Sequence, residues 1–206
     1  MKIVPLEDSH EQDFWNHVNR DPLDFYFFIF DMKQRHEKAQ VSLALEGRKV
    51  EGLMLIYARH IVQLRGSRRP MKALFNRVDL EEVELQAPLD CEDIILRNYK
   101  VWLRYEIILM QLRKGEENIR INHAPVKLGV DNVEEVVDLL RKADPEVWGD
   151  LDTEQQKANW KDATLVGIKQ RDRLASVGLT RVVDFASNIG AIATDERYRN
   201  MVLPRL

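Results

Sequence analysis

Three arginines surround a glycine in "QLRGSRRPMK": Arg65, Arg68 and Arg69 stand beside Gly66, and Pro70 opens a helical pattern. Guanidinium groups beside a helix start can hold phosphate as point charges. The competing reading is a solvated basic loop. Asp184 and Glu196 lie close to a late small-residue strand. A carboxylate there could serve as a general base, or it could be turn chemistry. Glu81, Glu82 and Glu84 run into a strand pattern and read as solvated surface. The histidines are His10, His17, His36, His60 and His123. No two of them have the i, i+4 spacing of a common zinc motif, and cysteine is nearly absent, which argues against a metal site. Cys91 reads as a small apolar side chain near a helix start. No G-x-S-x-G elbow or Walker loop occurs.

These residues need a folded frame. The chain has 206 residues, of which 45% are hydrophobic. That is enough for one large core or two small ones. A net charge of -3 gives no long-range attraction to nucleic acid or an anionic membrane. With one cysteine an intrachain disulfide is impossible, so a reducing compartment, the cytoplasm, is expected. "MKIVPLEDSHEQD" turns acidic too early for a signal peptide. No apolar run reaches the length of a membrane span, and "FYFFIF" is short and flanked by charge.

Along the chain, "KIVPL" reads as a strand. Ser9 and Gln12 have capping-box spacing, and Asp21-Pro22 marks a second helix start that "LDFYFFIFDM" continues. Its aromatic density points to core packing rather than a ligand wall. "AQVSLALE", a "GRK" turn and "VEGLMLIYA" predict a hairpin, followed by a strand "HIVQLRG", a helix "RPMKALFNRV", a strand "VELQAP", a helix "CEDIILRNY" and a long final strand "VWLRYEIILMQLR". Residues 114–124 are polar and read as a linker. Beyond it, "VKLGV" is a strand and Asp131 with Glu134 a second capping pair. Val133, Val136, Val137 and Leu140 make one helix face, and Pro145 closes that helix. "DTEQQKANWKDA" is a further helix. "TLVGIK", a turn at Arg171-Asp172, "RLASVGLTRVV" and "SNIGAIAT" are strands.

The order strand, helix, helix, strand, turn, strand, strand therefore occurs twice. "AQVSLALEGRKVEGL" and "ATLVGIKQRDRLASVGL" align at an offset of roughly 124 positions, the spacing of a duplicated domain rather than a solenoid. This order resembles the GCN5-related N-acetyltransferase (GNAT) family. "IGAIATDERYRN" looks like that family's fourth strand and the entry to its cofactor loop, and "ILRNYKVWLRYEIILMQL" like its fourth helix and closing strands. The resemblance implies an α/β fold of two GNAT-like halves, each a mixed, mainly antiparallel sheet flanked by helices. Residues 1–113 would be complete. Residues 125–206 would be partial, ending after the fourth strand. It also implies acetyl-CoA as acyl donor and a small-molecule or peptide amine as acceptor. The backbone of Ile192, Ala193 and Thr194 would position the pantetheine arm, Arg199 would approach the pyrophosphate, and Tyr99 would stand where the family has its thiolate-protonating tyrosine.

A diphosphate cradle needs successive inward backbone amides, and glycines for close approach. Counting from Arg199, the two glycine positions hold Val202 and Pro204, and proline has no amide to donate. The expectation is that the second half does not grip a diphosphate by itself, as in a truncated or frame-shifted gene. Two functions follow. One is an N-acetyltransferase whose cofactor loop is missing. The other is a non-catalytic scaffold or partner-binding protein on the same fold, forming a homo-oligomer through the open edge of "SNIGAIAT". No nucleic acid or membrane partner is expected.

Overall fold

The computed structural model of the chain describes residues 1–118 and 123–199. The fold is mixed α/β, with a five-stranded and a four-stranded sheet, each accompanied by helices. Two compact units divide the chain, Met1–Gln111 and Leu112–Leu206.

The first unit runs β1 (Lys2–Pro5), α1 (Asp8–Val18), α2 (Tyr26–Gln34), β2 (Ala39–Glu46), β3 (Lys49–Tyr57), β4 (Ile61–Gly66), α3 (Arg68–Phe75), β5 (Glu84–Gln86) and α4 (Glu92–Leu96). Strands follow in the order β1-β2-β3-β4-β5. The first four are antiparallel, and β5 returns parallel to β4 after the α3 crossover. Alternation along β2 and β3 sends side chains to both faces. Val41, Leu43, Leu53 and Leu55 meet Phe14, Val18, Phe28 and Ile29 of α1 and α2. Ala44, Met54, Val62 and Leu64 meet Met71, Leu74, Phe75 and Ile94 on the other face. The aromatic run of α2 is core, with Phe28 and Phe30 fully buried. Each such side chain contributes about 1.5–3 kcal/mol by leaving water. Gly66 takes φ +137°, and a Cβ there would stand 2.8 Å from the Glu51 carbonyl oxygen. The close turn from β4 into α3 therefore requires glycine.

The second unit runs β6 (Val126–Leu128), α5 (Val133–Ala143), α6 (Pro145–Trp148), α7 (Thr153–Asn159), β7 (Thr164–Gln170), β8 (Arg173–Val183) and β9 (Ala186–Thr194). Its sheet is antiparallel throughout, in the order β6-β7-β8-β9. The predicted stripe of α5 is its buried face: Val133, Val136, Val137 and Leu140 lie on Leu165, Leu174, Val177 and Leu179. Glu135 accepts the Leu174 amide at 2.7 Å and fastens α5 to β8. Arg171 and Asp172 both take positive φ, 48° and 64°, as a two-residue hairpin turn requires.

Several expectations fail locally. The final strand expected over residues 101–113 does not form; these residues are exposed and belong to no helix or strand. Side-chain alternation marks residues suited to a ladder, but a strand exists only where its main chain pairs, and residues 101–113 pair with no strand of this sheet, whose order stops at β5. Ser9 does not cap α1, which already begins at Asp8, and Gln12 bonds Asn16 instead. Asp21 forms a turn, accepting the Asp24 amide, and α2 starts only at Tyr26. The Asp131–Glu134 pair does not cap α5. A 3-10 turn over Val130–Asn132 precedes that helix, and Asn132 accepts the Gly129 amide at 3.1 Å. Pro145 ends α5 but also opens α6, whose first turn Asp144 caps, since proline fits the first helical position. No helix among the described residues is long and apolar enough to cross a membrane.

Candidate functional site

Among the described residues, the late strand β9 ends its sheet. Its register on β8 pairs Ser176 with Thr194, Val177 with Ala193 and Gly178 with Ile192. The Asp195 amide donates to the Ala175 carbonyl at 2.9 Å. In an antiparallel ladder, bonded and non-bonded pairs alternate. Ala193 and Ala191 therefore spend their main-chain groups on β8, while those of Ile192 and Thr194 face the open edge. The side chains alternate too. Ala193 is buried against the α5 side, and Ile192 is 68% exposed.

Arg199 lies at the end of this edge. Its Nε donates to the Thr194 carbonyl at 3.1 Å, and its Nη2 donates to the Ala143 carbonyl at the end of α5 at 3.2 Å. A cation suits a helix C-terminus. The guanidinium thus closes the strand end and the helix end together. Asp195 caps the following turn, accepting the Arg197 amide at 2.9 Å, and its carboxylate also takes the Arg197 side chain. These Arg197 bonds hold its pKa at about 2, so Asp195 stays ionised and is a poor base. Asp184 sits in the turn between β8 and β9, and Glu196 in the 3-10 turn after β9. The residues expected at 201–204, Val202 and Pro204 among them, lie outside the described residues.

Sequence reasoning missed Ser176. Its hydroxyl donates to the Ala193 carbonyl at 2.9 Å and lies 3.1 Å from the Thr194 hydroxyl. The pair puts two hydroxyl groups at the β8–β9 end. Nothing in "RLASVGL" marks Ser176; only the register brings it to Thr194.

The first unit's arginine cluster is engaged. Arg65 Nε stands 3.2 Å from Asp24 Oδ1, and Arg69 stands 3.5 Å from Glu46. Arg68 pairs with Asp93 and donates to the Asp90 carbonyl at 2.6 Å. The bond between them raises the Arg68 pKa and lowers that of Asp93. Each guanidinium thus meets a carboxylate before any phosphate arrives, Asp93 being shared with Arg97 at 3.3 Å.

Tyr99 follows α4. Its hydroxyl donates to the Leu80 carbonyl at 2.5 Å, and its ring meets Phe75 edge-on at 5.7 Å. It borders an open cavity of about 560 Å³ whose wall includes Asn76, Leu80, Glu81, Asn98 and Lys100. Cys91 is buried, and burial first, then Asp90, push its thiol pKa up. That is the opposite of an activated nucleophile. No group of three or more metal-ligating side chains occurs among the described residues. The residues expected to act at Tyr99 and at Ile192 to Arg199 thus belong to different units.

No protein-family model matches the chain, and no curated protein does. Among solved structures, one similar chain is an acetyltransferase. It is a GNAT-family protein from Colwellia psychrerythraea, 12% identical, aligned over 97% of this chain and 80% of its own with a TM-score of 0.46.

Proposed function

We propose that the chain is an acetyl-CoA-dependent N-acetyltransferase-type protein, with two GNAT-like halves arisen by duplication and the acyl donor lying along the open edge of β9. Support comes from the element order. A strand, helices and three further antiparallel strands occur in each unit, and the first adds the α3 crossover to a parallel strand. The observation that carries the reading is the Ile192 main chain, whose N–H and C=O face outward from the last strand. A pantetheine arm has amides spaced along a flexible chain, and it can bond to such an edge as a short extra strand would.

Bound there, acetyl-CoA supplies an activated thioester. The acceptor amine attacks its carbonyl carbon, the N–C bond forms and the C–S bond breaks. The amine proton leaves to a base, and the thiolate gains one. Thr194 and Ser176 offer hydroxyl groups beside the edge. Arg199 must exchange a main-chain carbonyl for phosphate to take part.

The engagement of Arg65, Arg68, Arg69 and Arg199 favours a second reading, a non-catalytic protein on the same fold. One titration separates the two. At 1 mM acetyl-CoA and a Kd near 10 μM, mass action adds about 2.7 kcal/mol. That should raise Tm by roughly 5–10 °C, together with release of free thiol when amines are supplied. A rise without thiol release leaves the non-catalytic reading. No rise at 1 mM refutes donor binding.

A further inference from the structure

The most unusual surface of the first unit is the segment over residues 101–111, which follows α4 and Tyr99. Trp102 is 80% exposed, Ile108 78% and Met110 85%, and Leu103, Tyr105, Ile107 and Leu109 are also mostly exposed. With large side chains presenting roughly 150–250 Å² each, this arm offers on the order of 1,000 Å² of apolar surface, above the ~300–600 Å² of the largest patch on a typical monomer. Its root is fixed. Tyr99 is bonded to the Leu80 carbonyl, Lys100 lies 3.9 Å from the Trp102 ring centroid, and Arg104 pairs with Glu92 at 2.5 Å.

We propose that the arm is a strand in waiting that docks on the β5 edge of a second copy of this chain, in a two-fold exchange. Three observations select this occupant. First, β5 ends the five-stranded sheet, so its outer edge can accept a ladder. Second, the charges are complementary. Exposed Asp79, Glu81, Glu82 and Glu84 lead into and begin β5, whereas within the arm and its root Lys100 and Arg104, the latter paired with Glu92, stand against Glu106 alone. Third, the area suffices. Two arms and the surfaces they cover exceed the ~1,600 Å² of a standard stable interface.

Donor and acceptor also sit at one end of the unit. Asn98, Tyr99 and Lys100 at the arm's root, and Leu80 and Glu81 at the approach to β5, line the same cavity of about 560 Å³. A contact in which the arm of each copy meets the β5 edge of the other closes on itself and does not propagate into filaments. This inference is independent of the acyl donor, because it uses no residue of β9.

The test measures the mass of the full chain in solution by light scattering at about 20 μM. Wild type should have the mass of two chains. The arm variant Ile108→Lys/Met110→Lys alters side chains that touch solvent here, so it should keep the wild-type circular dichroism and run as a single chain. The acceptor variant Glu81→Lys/Glu82→Lys should dissociate at least tenfold more readily at low salt. Mixed together, the two variants should form a heterodimer, since one intact arm still finds one intact edge. A wild-type monomer, including one whose arm amides are protected from hydrogen exchange on its own chain, overturns the proposal. So does an arm variant that stays dimeric, an acceptor variant that dissociates like wild type, or a mixture that stays monomeric.

Discussion

Proline substitutions at two adjacent positions of β9 should have sharply different costs. The ladder phase set by the Asp195–Ala175 bond turns the Ile192 amide to the open edge and the Ala193 amide to β8. Proline is tolerated in a strand where its missing N–H faces solvent. Ile192 is also largely exposed, so Ile192→Pro should cost no more than about 1 kcal/mol. Ala193→Pro removes a ladder bond and leaves a partner carbonyl unpaired, about 1–3 kcal/mol. It also presses a ring into a buried position beside Val177 and Leu179, adding about 1–3 kcal/mol. The two variants should therefore differ by at least about 1 kcal/mol, a shift of roughly 0.5 M or more in the urea midpoint. Trp148 and Trp160 pack in the second unit's core, so tryptophan fluorescence follows its unfolding. Any tryptophan signal from the first unit serves as an internal control that neither variant should move. Ile192→Pro should in addition abolish stabilisation by acetyl-CoA. Equal losses for the two variants, or a larger one at Ile192, would show that the edge assignment is inverted and remove the basis of the donor site.

Two other outcomes follow from the first unit. Gly66→Ala puts a Cβ 2.8 Å from the Glu51 carbonyl oxygen at a φ of +137° and should lower stability by about 2–4 kcal/mol in urea, whereas Gly47→Ala, with open space around it, should lose less. His17 has its pKa lowered below 6.5, first by burial and then by Arg20. Its neutral form is favoured in the folded chain, so the stability present above pH 6.5 is lost as pH falls through the folded pKa. Wild type should weaken between pH 7.5 and 5.5 more than His17→Gln does, as read by urea unfolding at the two values.

Much of the frame was legible in the residues. The i, i+3, i+4, i+7 valines of α5, the alternation of β2 and β3, and the helical pattern opened by Pro70 each express a local period that a helix or strand must satisfy. In both units a strand, then helices, then three strands could be followed from such patterns. Helix starts were less legible, because a capping side chain competes with several nearby donors. Gln12 found Asn16, and Asn132 found the Gly129 amide.

The sequence by itself determined which stretches were apolar, where turns had to fall, and that no disulfide and no common zinc spacing was available. Those are properties of neighbours along the chain. Only the tertiary structure decided that Arg65, Arg68 and Arg69 each meet a distant carboxylate, Asp24, Asp93 and Glu46 in turn, and that Arg68 also meets the Asp90 carbonyl. It also decided that Ser176 stands by Thr194 and that residues 101–112 form no strand. A charge is committed, a hydroxyl placed or a ladder completed by whatever lies across space, and no spacing along one strand specifies its partner.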